Sequence, residues 1–266
     1  MLAQNPRVSL CTRNWLWSLI DKCLDEPCYR MLLKIVYQTR WEHPGGAVYE
    51  YALELGASGE HALVAGSAAE IFYAACSAGD DIQDGDASEY MECSYALQLN
   101  AQAQLMALVT GRIRAITTLP QDTFDPHEAL VFMLTGQRME LCRGDDWNVG
   151  DYMFVARASA GMEYRSILRM AVMAYLADNR MGAERGLMEA VEALGVWVGM
   201  GLQLYADART KDERLFSFSD AEIAKMKLDV IEGIRKTSDS LTEISNRTVK
   251  MTTHAEQLIC LLENIL

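Results

Sequence analysis

Glu70-Ile71-Phe72-Tyr73-Ala74-Ala75-Cys76-Ser77-Ala78-Gly79-Asp80-Asp81-Ile82-Gln83-Asp84-Gly85-Asp86 is the stretch on which the reading of this chain turns. A run of small and apolar residues leads straight into four aspartates. On a helix, Asp80 and Asp84 are i and i+4, and Asp81 and Asp84 are i and i+3, so both pairs share one face. Like charges at that spacing repel, and Asp is a poor helix former. The pattern costs stability unless something neutralises it. A hard divalent cation with oxygen ligands does so, and Mg2+ also bridges to phosphate oxygens. An acidic helix end in solvent is the alternative that spacing leaves open. An EF-hand is disfavoured, because no Glu closes a loop of about twelve residues.

Outward from this stretch, helical periodicity dominates. Trp15, Leu16, Leu19 and Ile20 make one apolar face between Arg13 and about Leu24, and Met31, Leu32, Ile35 and Val36 make the next, behind Pro27. His43-Pro44-Gly45-Gly46 reads as a loop. Ala-rich segments from about Ala47 to Leu55 and from Gly59 to Gly79 are apolar enough to be buried on most sides. Further helices are expected from about Ser88 to Thr118, from Pro126 (with Asp125 as N-cap) to Cys142, from Gly150 to Leu176 and from Arg185 to Tyr205. A polar stretch, Asp207 to Asp220, precedes two amphipathic helices starting near Ser219 and Ser238. No alternating strand pattern, repeat or linker interrupts them, so one all-α domain, 1–266, is expected.

Composition excludes several classes. The net charge of −13 repels phosphate backbones, so nucleic acid is not an expected partner. The seven cysteines are odd in number, scattered and without a CxxC, which points to a reducing cytoplasm rather than a disulfide framework. His43, His61, His127 and His254 lie too far apart to suggest zinc. No run of roughly 20 consecutive apolar residues is present, so no transmembrane segment is expected.

Asp80-Asp81-Ile82-Gln83-Asp84 after a small-residue helix resembles the first DDxxD motif of the trans-isoprenyl diphosphate synthases. Other landmarks fall in the family's order. Gly136-Gln137 with Glu140-Leu141 resembles its GQxxDL helix. Asp151-Tyr152 through Arg157-Ala158-Ser159 resembles its helix ending in Lys-Thr. Gly201-Leu202-Gln203-Leu204-Tyr205-Ala206-Asp207 resembles its FQxxDD helix. The resemblance covers roughly residues 45 to 215. It implies an isoprenoid-synthase-like helical bundle around a central cavity, with Asp80 and Asp84 facing Asp207.

The departures are equally specific. The family grips isopentenyl diphosphate with Gly-Lys-Arg-x-Arg, where this chain has Gly45-Gly46-Ala47-Val48-Tyr49-Glu50. It carries Arg-Arg-Gly after the first motif, where this chain has Asp86-Ala87-Ser88-Glu89-Tyr90-Met91. A second diphosphate needs paired cations, so elongation with isopentenyl diphosphate is not expected. The second acidic motif is reduced to Asp207, with Asp212 and Glu213 nearby. Asp207 and Asp212 are five apart and do not share a helix face. A class I terpene cyclase would show an Asn, Ser, Glu triad spaced by fours, but Lys211 and Leu215 occupy those positions. Asp84-Gly85-Asp86, Asp145-Asp146 and Gln203 to Asp207 resemble the competence-pheromone tryptophan prenyltransferases.

The resemblance implies a Mg2+-dependent isoprenoid transferase. It would ionise an allylic prenyl diphosphate, farnesyl or longer, and pass the prenyl group to an acceptor other than isopentenyl diphosphate, with a peptide among the candidates. The implied metal residues are Asp80, Asp81, Asp84 and Asp207. Arg157, Arg165 and Gln203 would bind the diphosphate, and Phe72, Ala75, Cys76, Tyr164 and Trp197 would line the prenyl pocket. Each pocket residue is equally explicable as core. A terpene cyclase, a prenyl diphosphate synthase or its non-catalytic subunit, and a homodimer stay open.

Overall fold

Asparagine followed by proline starts the first helix. Asn5 Oδ1 accepts from the backbone N–H groups of Arg7 and Val8, and Pro6 sits in the first turn, where its missing N–H costs nothing. Helix α1 is therefore Pro6–Trp17, not Arg13 to Leu24. Beyond it the chain bends back in turns, with an isolated bridge between Ile20 and Leu24. This computed structural model describes residues 4–20, 22–37, 43–85, 94–114, 116, 126–143, 147–179 and 185–265. The expected Asp125 cap, the Asp86 to Met91 segment and Asp145-Asp146 lie outside the described residues.

The fold is all-α, with no strand among the described residues. α2 (Glu26–Tyr37), α3 (Pro44–Leu55), α4 (Gly59–Asp84) and α5 (Tyr95–Ile113) follow α1. Then come α6 (Pro126–Arg143), α7 (Val149–Ala156), a π-helical turn (Arg157–Gly161) and α8 (Met162–Asp178). α9 (Arg185–Thr210), α10 (Glu213–Phe216), α11 (Asp220–Ile244) and α12 (Val249–Glu263) complete the order. The chain divides into two compact units, Met1–Phe124 with Met173–Met181, and Asp125–Val172 with Gly182–Leu266.

In the first unit, α1, α2, α3 and α5 all pack on α4. Ser58 Oγ caps α4 at the His61 N–H. Asp178, from the end of α8, accepts from the Ser58 N–H at 2.6 Å and lies 2.8 Å from His61 Nδ1. Ala62, Ala65, Ala68, Ala69, Ala75 and Ala78 are buried, so α4 presents small side chains on several sides and its neighbours come close. By length and composition α4 and α9 could cross a membrane, but 78% of the α4 window is buried inside the protein, as in a core helix, and 44% of the α9 window.

His43 to Gly46 does not form the expected loop. Pro44, Gly45 and Gly46 are the buried first turn of α3. His43 supplies no side-chain cap, and Glu70 of α4 packs against this turn. Glu70, 2% exposed, brings its carboxyl to the Gly45 N–H, with Oε2 3.2 Å from His43 Nδ1. A carboxylate is favoured at a helix N-terminus, where N–H groups lack partners. Only glycine permits this approach, because a Cβ on Gly66 would stand 2.6 Å from the Gly45 carbonyl oxygen and one on Gly45 would meet the Glu70 side chain. Tyr37 stacks on the His43 ring at 6.0 Å, and the Arg13 guanidinium lies over Tyr37 at 5.2 Å.

In the second unit, α9 packs against the π turn, α7, α11 and α12, and α6 lies against the π turn and α7. α9 extends through Thr210 into the expected polar stretch. Ser219 and Glu222 form the capping box of α11. Ser238 lies inside α11 and starts no helix; α12 begins at Val249. The Ser238 expectation failed because Ser238 is buried within α11, and tertiary packing holds a serine in a helix interior against its cap preference.

Two expectations follow. Gly45→Ala should destabilise the protein by about 1–3 kcal/mol through overpacking. Gly111→Ala, whose Cβ meets nothing within 4 Å, should stabilise it by about 0.5–1 kcal/mol; denaturant melts compare them. Burial pushes the Glu70 carboxyl up from its usual range, against the opposing effects of His43 and the Gly45 N–H. The folded state then holds that proton more tightly than the unfolded chain. Stability from Glu70 is complete below the ordinary carboxylate range and falls as pH rises through the folded value. Glu70→Gln cannot ionise, so its melting temperature relative to wild type should be higher at pH about 8 than at pH about 4.

Candidate functional site

α4 carries its acidic cluster into the last turn. Asp80 and Asp84 are exposed and Asp81 is half-buried, while Ile82 between them is buried. The last turn holds no basic residue, and Gly85 ends the helix in the left-handed conformation (φ 86) with its N–H on the Asp81 carbonyl. The carboxylates therefore add to the negative end of the helix dipole. Phe72 and Ala75 are wholly buried on the same helix, and Cys76, one turn before Asp80, is half-buried.

The second unit gathers the other acidic residues. Asp207, on α9, is 5% exposed. Its Oδ2 accepts from the Tyr152 phenol at 2.7 Å and its Oδ1 from Gln203 Nε2 at 2.8 Å. Burial, then the negative charges of Asp207 and Asp212, push the Tyr152 phenol up, so it stays protonated and donates. The Tyr152 ring also meets Phe218 edge-on at 5.9 Å. Tyr152 owes its place to α7, which starts at a capping box in which Asn148 and Asp151 exchange side-chain and backbone hydrogen bonds.

A tight turn, not a shared helix face, brings Asp212 near Asp207. Lys211 takes a positive φ of 58, and the Asp212 N–H donates to the Asp207 carbonyl at 2.9 Å. The Asp212 carboxylate caps α10 and is gripped by Arg214, Nε at 2.9 Å and Nη2 at 2.8 Å. Arg214 also pairs with Glu140 on α6. Glu213 is exposed.

Arg157 is exposed at the start of the π turn. The turn is wedged between helices, since a Cβ on Gly136 would meet Ala158 Cβ at 3.0 Å and one on Gly161 the Val196 carbonyl at 3.2 Å. Such π turns recur at functional sites. Arg165 is paired with Glu192, Nε at 2.9 Å and Nη2 at 2.8 Å, and Arg169 takes the other Glu192 oxygen at 2.7 Å. Tyr164 is buried, and Trp197 is half-buried with its indole against Gly233 of α11, where a Cβ could not fit. Within their units, then, Asp207 and Gln203 are brought together, Asp80, Asp81 and Asp84 share one helix end, and Arg165 is held by Glu192. Asp80 and Asp207 belong to different units.

Sequence reasoning named Tyr152 and Glu140 only as landmarks of the motif order and did not single out Arg214. Tyr152 lies 55 residues from Asp207, a distance that carries no local signal. Arg214 was legible only as a cation two residues after Asp212.

The donors fit a hard cation. Among the described residues no three His, Cys, Asp or Glu side chains form a group able to hold a metal by themselves. Mg2+ does not require such a cage, because it keeps waters and completes its shell with phosphate oxygens. A carboxylate such as that of Asp207 offers about four lone-pair sites.

No protein-family model matches the sequence, and comparison with characterised proteins by sequence gives no match. Solved structures do match. A geranyltransferase from Legionella pneumophila superposes with TM-score 0.72 at 12% identity, over 97% of this chain and 94% of that one. An isoprenoid synthase family member from Thermotoga neapolitana gives 0.70 at 16%, over 94% and 97%. A geranylgeranyl pyrophosphate synthetase from the archaeon Geoglobus acetivorans gives 0.68 at 16%, over 95% and 98%. The chain thus has the isoprenoid synthase fold, as its motif order indicated, at a divergent sequence.

Tyr152→Phe removes a donor from the buried Asp207 carboxylate and should destabilise the protein by about 1–3 kcal/mol. Tyr205→Phe, on the same α9 turn, is the control and should stay within about 0.5 kcal/mol of wild type in chemical melts.

Proposed function

We propose that this protein is a Mg2+-dependent prenyltransferase of class I type, ionising an allylic prenyl diphosphate and passing the prenyl group to an acceptor other than isopentenyl diphosphate. The observation that carries this reading is the first turn of α3. Where the family places its isopentenyl diphosphate cations, this chain buries Pro44, Gly45, Gly46, Ala47, Val48 and Tyr49. The acidic end of α4 is kept while that grip is replaced by core. The two compact units act as one catalytic domain in this reading.

When bound, Mg2+ supplies charge neutralisation for the diphosphate and its departing pyrophosphate. Asp80 and Asp84 bind it, and Asp81 orients coordinating water. Tyr152 and Gln203 orient Asp207 as a further metal carboxylate. Arg157 offers a planar fork to diphosphate oxygens, with Arg165 behind it on Glu192. Phe72, Ala75, Cys76, Tyr164 and Trp197 exclude water from the cation. Phe72, Cys76 and Asp80 are spaced i, i+4 and i+8, so the prenyl tail passes Ala75 and Cys76 and ends near Phe72, a depth that suits farnesyl. The acceptor is a peptide side chain in this reading, and the location is cytoplasmic. A homodimer is the assembly it carries, because α5 exposes Tyr95, Leu97 and Leu99 and its one charged residue, Arg112, is buried.

Incubation with farnesyl diphosphate and Mg2+ tests the reading. Asp80→Asn and Asp84→Asn should each lower pyrophosphate release at least about 100-fold with melting temperatures at or above wild type. Isopentenyl diphosphate should not be incorporated, and a Trp-containing peptide should be prenylated. Radiolabel from isopentenyl diphosphate in a longer chain would overturn the acceptor assignment. A hydrocarbon product without acceptor would make the protein a cyclase. No pyrophosphate from any allylic donor would leave the fold without this activity.

A further inference from the structure

We infer that Cys11 is a redox-modification site, a thiol activated by the buried Arg112 guanidinium and oxidised reversibly by hydroperoxides. Arg112, on the inner face of α5, is 9% exposed. Its Nη2 donates to Cys11 Sγ on α1 at 3.0 Å, and its guanidinium carbon lies 5.1 Å from the centre of the Trp15 ring. Its Nε has no hydrogen-bond partner, and no carboxylate of the described residues forms an ion pair with it.

That arrangement is costly unless it meets an anion. A guanidinium does not give up its proton in proteins, so burial cannot neutralise it. A buried charge without a counter-charge is strongly unfavourable. Among the described residues, the group placed to supply negative charge is the Cys11 sulfur. The guanidinium charge held 3.0 Å from Cys11 Sγ favours negative charge as it develops on that sulfur during attack on an electrophile. Thiolates beside arginine are the ones that react. Cys11 is half-buried, so a small peroxide can reach it.

Cys28 is the internal comparison. It is also half-buried, but its S–H donates to Gln104 Oε1 at 2.8 Å. Burial and the neighbouring Asp25 push that thiol up. Two thiols of similar access thus face opposite charges, and only Cys11 faces a cation. Cys23, Cys142 and Cys260 are exposed and serve as references for unassisted reactivity.

The step is a two-electron oxidation. Cys11 Sγ attacks one peroxide oxygen as its thiol proton passes to solvent; the S–O bond forms and the O–O bond breaks. The sulfur loses two electrons, and the other oxygen leaves with that proton equivalent as water. The product is a sulfenic acid held beside Arg112, and an external thiol reduces it back.

The test uses the full chain, reduced and then freed of reductant. Hydrogen peroxide is added, sulfenic acid is trapped with a cyclic 1,3-dione, and each cysteine is followed by peptide mass spectrometry. Cys11 should label about tenfold faster than Cys28 and faster than the three exposed thiols. Unfolding in urea should abolish that advantage. Arg112→Met, which fills the site without charge, should reduce Cys11 labelling to the Cys28 rate, and Arg112→Lys should retain part of it. Equal native rates at Cys11 and Cys28, or an unchanged Cys11 rate in folded Arg112→Met, would overturn the proposal. If Arg112→Met fails to fold, the native and urea ratios of Cys11 to Cys28 decide alone.

Discussion

Burial of α4 is the constraint on which the first unit depends. A helix packed on by α1, α2, α3 and α5 must carry small side chains, and its Ala and Gly content follows from that demand. The close crossing at Gly45 and Gly66 is one consequence. The placement of Glu70 is another, since its buried carboxyl meets His43 Nδ1 through Oε2 at the start of α3 while Oε1 has no partner. The same helix then ends in Asp80, Asp81 and Asp84, where packing gives way to the exposed Asp80 and Asp84 and the half-buried Asp81. A rigid, buried stem below a charged tip holds acidic groups in place better than a loop does.

The second unit handles its acidic residues differently. Asp207 is buried, and Tyr152 and Gln203 both donate to its carboxylate and hold its orientation. Asp212 and Glu140 instead converge on Arg214. One reduced motif has thus become a single oriented carboxylate beside a closed ion-pair network.

Local signals fared unevenly. The apolar stripes gave most helices, and the caps at Ser58 and Ser219 fixed their starts through side-chain oxygens near in sequence. The errors fell where a local signal was ignored or a distant one decided. Asn5-Pro6 is a helix start that apolar spacing alone overlooks. His43-Pro44-Gly45-Gly46 has turn composition, yet the packing of Glu70 and Gly66 makes it a helical turn. The π turn at Arg157 sits where the motif order had marked a helix end, and Gly136 and Val196 come close to it from distant parts of the chain.

What the sequence determined by itself is the all-α class, the family likeness of its motif order, and the acidic tip of α4. These depend on spacing along a single helix, where neighbours three and four residues apart are fixed by the backbone. What only the tertiary structure decided is which groups meet across helices. Tyr152 reaches Asp207 over 55 residues, and Arg112 reaches Cys11 over 101. Glu140 meets Arg214 only because α6 and the turn after α9 come together. Such pairings are set by how helices cross, and helix crossing depends on side-chain volumes and glycine contacts summed over the whole interface rather than on any short stretch of chain.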